Sequence, residues 1–144
     1  MAFVSAFGQG AARGIWAFRF IGDSNEAILR RYGDTFVVGH APERQACADA
    51  ARALFGEVAD AWRTQGLSGQ ALYAFAGERA AAMGWRLNHA VKGHRVSDFP
   101  HAIHKGGDLG DLEASPSSGL WILEIQIAHP SEPFGAFCED LLTR

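Results

Sequence analysis

Apolar residues recur at two different spacings along the chain, and the change of spacing marks out its elements. From residue 15 to 21 the run Ile-Trp-Ala-Phe-Arg-Phe-Ile is dense in aromatic and β-branched side chains and stops at Gly22-Asp23, the pattern of a strand entering a turn. Thr35-Phe36-Val37-Val38 before Gly39 predicts a second strand, so residues 15–39 are expected to form a hairpin with a long connection. Pro42 suits the first turn of a helix, where its missing N–H costs nothing. Cys47, Ala51, Leu54, Val58 and Trp62 then follow at three- and four-residue intervals, giving that helix one apolar face. Ser68 is placed to cap a second helix, with Leu72, Phe75, Ala76 and Met83 inward and Gly84 at its end. Beyond the turn-rich stretch KGGDLGDLEASPSSG, residues 105–119, the run from Leu120 to Ile127 reads as an apolar strand broken by one carboxylate. Phe134 to Leu142 is its expected antiparallel partner, joined through HPSEP. This order predicts an α+β domain with helices packed on one face of a bent antiparallel sheet.

Composition narrows the class. At 144 residues, 48% hydrophobic and 20% charged, the chain has the make-up of one ordinary soluble domain. A net charge of −3 with no Lys/Arg run leaves no footprint for nucleic acid or for an anionic membrane surface. Its apolar runs are of strand length, too short to span a bilayer, and the N-terminus lacks the basic and apolar regions of a signal peptide. Cys47 and Cys138 stand outside any CxxC pattern, which predicts two reduced, partly buried thiols in a cytoplasmic protein.

Two features carry candidate chemistry. Residues 92–104, KGHRVSDFPHAIH, hold three of the six histidines, and histidine is the commonest metal ligand. The plain alternative is a solvated loop. The second feature is Glu124 inside an apolar strand and Glu139 on the neighbouring one. Carboxylates in a sheet are costly unless paired, hydrogen-bonded or bound to a cation. Two of them on adjacent strands can hold divalent ions, and a histidine would complete such a site.

Taken in order, Gly93-His94, His101 seven residues on, Trp-Ile-Leu-Glu124 and Glu139-Asp140-Leu-Leu-Thr resemble the pita-bread metallopeptidases: methionine aminopeptidase, aminopeptidase P and prolidase. The likeness covers residues 93–143, and the hairpin-helix-helix layout before it fits too. It implies a truncated pita-bread domain over residues 1–144, with His94, Glu124 and Glu139 as metal ligands and His101 as a hydrogen-bond partner of the substrate. His104 has no counterpart. The family also places two ligand aspartates eleven residues apart on the hairpin, a spacing that Asp23 and Asp34 match. A second alignment counts back eight residues from Gly39 and puts Arg31 and Phe20 in those places. There the ligands are lost, and a guanidinium would repel cations.

The resemblance implies two divalent ions (Mn, Zn or Co) held by Asp23, Asp34, His94, Glu124 and Glu139, activating water against a small peptide or an ester or phosphoester. The alternatives are a non-catalytic relative serving as a binding or scaffold domain, and a creatinase-like, metal-free hydrolase using His94 and Glu124 as acid and base. The family's upstream half has little counterpart before residue 15, so a homodimer is expected to cover the apolar faces this leaves.

Overall fold

One antiparallel sheet runs through the computed structural model of the chain, which describes residues 3–6, 14–18, 33–37, 40–96 and 107–144. Across it lie β1 (Phe3–Ala6), β2 (Gly14–Phe18), β3 (Gly33–Val37), β7 (Gly135–Leu141), β6 (Trp121–Ala128) and β4 (Arg86–Leu87), while β5 (His94–Arg95) also pairs with β6. Between β3 and β4 the chain forms α1 (Pro42–Gln65) and α2 (Gly69–Ala82). The α+β class, the β2–β3 hairpin, both helices and the β6–β7 pair agree with the hydrophobic pattern. Strands β4 and β5 do not follow from it, because two residues are too few to display a period.

The helices lie on one face of the sheet. Cys47, Ala51, Leu54, Val58 and Trp62 of α1 are all buried, and they share a core with Leu72 and Ala76 of α2 and with Leu123, Ile125, Ile127, Ala136 and Cys138 of the sheet. Every second residue of β6 and its partner on β7 therefore points at the helices, as the strand period of two requires.

The loop ahead of β6 ties these layers together through its backbone. A new helix exposes its first N–H groups without partners. At the start of α2, Gly69 and Gln70 donate theirs to the carbonyls of Ala114 and Leu112, and Ala71 donates to the Ser68 hydroxyl. From α1, the Trp62 indole N–H reaches the Pro116 carbonyl at 2.9 Å. The stretch that reads as a plain turn-rich loop thus caps one helix and anchors the other. It also contains a 3-10 turn, Leu109–Asp111, with Leu109 fully buried. Among the described residues no helix is long and apolar enough to cross a membrane.

Both cysteines are free and buried, as their isolation in the sequence suggests. Burial raises the thiol of Cys47 to about 11 and that of Cys138 to about 12. Both are thus neutral thiols, poor nucleophiles at any physiological pH. In mildly alkaline buffer a thiol reagent such as DTNB should leave the native protein unmodified and titrate both cysteines only after denaturation. Rapid reaction of either thiol in the native state would contradict this burial.

Candidate functional site

His94, Glu124 and Glu139 come together on the sheet face turned away from the helices. Glu124 pairs directly with Glu139 across β6 and β7, and His94 pairs with Ile122, two residues back along β6. Direct partners in an antiparallel ladder share a face, as do residues two apart on one strand. The register alone thus puts all three side chains on one side. One ligand atom from each lies within 4.8 Å of the others.

Local chemistry explains why each arrives there. Gly93, just before His94, has φ of +70°, and a Cβ on it would stand 2.4 Å from the Ile122 carbonyl oxygen. Only glycine meets both conditions, so the Gly-His step is a packing requirement as well as a motif. The loop holds this segment from the other side, where Leu109 and Gly110 donate their N–H groups to the carbonyls of Gly93 and Lys92. His94 Nδ1 lies 2.7 Å from the Arg95 carbonyl, and a carbonyl can only accept, so Nδ1 carries the proton. In the neutral ring Nε2 is then the acceptor nitrogen, 3.9 Å from Glu124 Oε1. A backbone carbonyl fixing the far ring nitrogen is the support a ligating imidazole commonly has.

Glu124 is held through its backbone. The Tyr73 hydroxyl on α2 donates to its carbonyl at 2.8 Å and accepts from its N–H at 3.4 Å. Those groups face the gap between β5, which pairs up to Ile122, and β4, which begins at Ile127. A phenol thus stands where a strand would otherwise be. Because Glu124 turns its N–H and C=O to Tyr73, it faces Glu139 as a non-hydrogen-bonded pair, the type in which side chains approach more closely. Burial pushes the Tyr73 phenol well above its usual pKa, so it remains a neutral hydrogen-bonding group.

Glu139 is 3% exposed and lies over Gly33, where a Cβ would come within 2.8 Å of its Cγ. The carboxylate occupies the space that a side chain on Gly33 would fill. The side chains of His94 and Glu124 remain 17% and 19% exposed, so solvent reaches the group from their side.

Asp34 falls elsewhere. It pairs with Cys138, one register position from Glu139, and so points to the helix face. There Arg52 of α1 binds its carboxylate at 2.7 Å and also donates to the Thr35 carbonyl. Asp34 is not in the His94–Glu124–Glu139 group. Asp23, Phe20, Arg31, His101 and His104 lie outside the described residues. Two residues that the sequence reading passes over matter most to the geometry. Tyr73 sits beside the inward Leu72, and Gly33 begins β3. Neither carries a signal in sequence, because each acts on a residue far along the chain.

Replacing Tyr73 by Phe should leave the Glu124 backbone groups without their partner. Stability to urea should fall by about 1–3 kcal/mol, with faster amide exchange at Glu124. An unchanged urea midpoint would mean that water or a neighbour replaces the phenol at no cost.

No protein-family model, curated protein or solved structure matches the chain, so the chemistry of the site rests on its own geometry.

Proposed function

We propose that the protein is a metal-dependent hydrolase of the kind its sequence resembles, with His94, Glu124 and Glu139 holding a divalent ion. The observation that carries this reading is the convergence of an imidazole and two carboxylates within 4.8 Å, close to the span of one ion's coordination shell. One nitrogen and two carboxylate oxygens suit zinc, manganese or cobalt. A bound ion would supply an acidified water and polarise the oxygen of the bond under attack.

The chain's own residues set the rest. Arg95, through its carbonyl, aims Nε2 of His94 at Glu124, and Tyr73 and Gly33 set the positions of the two glutamates. Two carboxyl groups facing each other across a ladder place oxygen donors on adjacent strands, where one cation could take an oxygen from each. With Asp34 committed to Arg52 on the opposite face, the three described ligands favour one ion per chain over two. A small peptide is the favoured substrate, with esters and phosphoesters as further members of the class.

A second reading keeps the same pair without an ion. The 3.9 Å separation of His94 and Glu124 also suits a general acid and base, as in a creatinase-like hydrolase.

Calorimetric titration with Zn²⁺ or Mn²⁺ should give one ion per chain, and Glu124→Gln or His94→Ala should weaken binding by about tenfold or more. Added metal should raise the melting temperature and EDTA should lower it, because an ion bound only to the folded state stabilises that state by mass action. Peptide or ester turnover should vanish with the metal. Turnover that persists in EDTA but is lost in Glu124→Gln would select the metal-free reading. If metal left melting unchanged and no turnover were found with or without it, the metal-dependent hydrolase reading would fail.

A further inference from the structure

A groove of about 410 Å³ lies farther along β6, lined by Arg86, Asn88 and Gln126 and walled by Glu132 and Phe134 of the β6–β7 connection. It shares the sheet face of the candidate site. Gln126 is two residues from Glu124 on β6, and Arg86 pairs with Ala128, two residues further. At the rise of an extended strand these positions are roughly 7 and 14 Å from Glu124.

The polar groups of the groove are oriented by a short chain of hydrogen bonds. Ala90 donates its N–H to Oδ1 of Asn88 at 3.0 Å, which identifies the oxygen of that amide. Asn88 Nδ2 must then be the donor in its 2.5 Å contact with Oε1 of Gln126, which in turn identifies the Gln126 oxygen. The remaining group of Gln126 is Nε2, with two N–H donors and no hydrogen bond to any described residue. Arg86 uses one N–H on the His129 carbonyl at 3.2 Å, and no described carboxylate lies within ion-pair distance of it. The groove therefore offers several directed donors and the fork of a guanidinium, the arrangement that grips a carboxylate at two oxygens. The carboxylate of Glu132 on the far wall cancels the formal charge of Arg86. Recognition then rests on these donors rather than on a broad positive field.

We infer that this groove binds the terminal carboxylate of the substrate, so that the protein acts on short peptides with a free C-terminal end. This rests on the hydrolase reading above and deepens it. With Arg86 and Gln126 as anchors, about two to four residues of extended chain fit between the carboxylate and Glu124.

Binding to metal-free protein separates the groove from the metal centre. N-acetylglycylglycine, followed by amide chemical-shift titration, should bind about tenfold more tightly than N-acetylglycylglycinamide and shift the Arg86, Asn88 and Gln126 signals. Arg86→Gln and Gln126→Ala should each abolish most of that preference, while Glu124→Gln should retain it. Arg86 is exposed, so the Arg86→Gln protein should keep its fold, which its spectrum will report. Equal binding of acid and amide, or an acid affinity unchanged in Arg86→Gln, would overturn the proposal. Tighter binding of inorganic phosphate than of the acid, lost in the same variants, would overturn it in favour of a phosphate site. Acid-selective binding without any hydrolysis or metal response would uphold the groove and refute the hydrolase reading alone.

Discussion

Residues 121–128 and 135–141 pair over seven positions, and because side chains alternate along a strand this ladder sorts the molecule into two chemistries. Leu123, Ile125 and Ile127, with Ala136 and Cys138, meet the helices and form the core. The intervening positions carry Glu124, Gln126 and Glu139 to the other side. A slip of one residue between the two strands would turn one of them over, sending its glutamate into the core and its core residues out, both of them costly. Core packing therefore holds the register, and the register holds the site.

Polar groups from outside the strands complete what the ladder leaves open. Among the described residues the β3–β7 pairing joins Gly33 to Glu139 and Asp34 to Cys138, and next to it the Thr35 hydroxyl accepts from the N–H of Phe137 and donates to its carbonyl. Tyr73 serves the far edge of β6 in the same way, between the two short strands. Each hydroxyl is both donor and acceptor, so one side chain can satisfy a residue's N–H and C=O together.

The sheet also separates charges. Asp34 and Glu139 are neighbours in register yet belong to different electrostatic environments. Asp34 meets Arg52, itself bonded to Asp49, in an ion-pair network at the rim of the helix layer. Glu139 is set against Glu124 and His94, a group whose ligand atoms lie close enough together to hold a metal ion.

The order of amino acids alone specifies the elements that carry a long enough period. The apolar face from Cys47 to Trp62, the Ser68 cap and the two late strands are readable because neighbours in sequence share one environment for many residues. It also marked His94, Glu124 and Glu139, since a Gly-His step and lone carboxylates in apolar strands break the local pattern. What it left open was register. An eleven-residue spacing permits Asp23 and Asp34, but only the pairing of Gly33 with Glu139 decides that Asp34 faces Arg52. The strands β4 and β5 exist because β6 offers them an edge, and Tyr73 and Gly33 matter through residues roughly fifty and a hundred positions away. Such contacts arise only when the chain is closed on itself, so tertiary structure had to decide them.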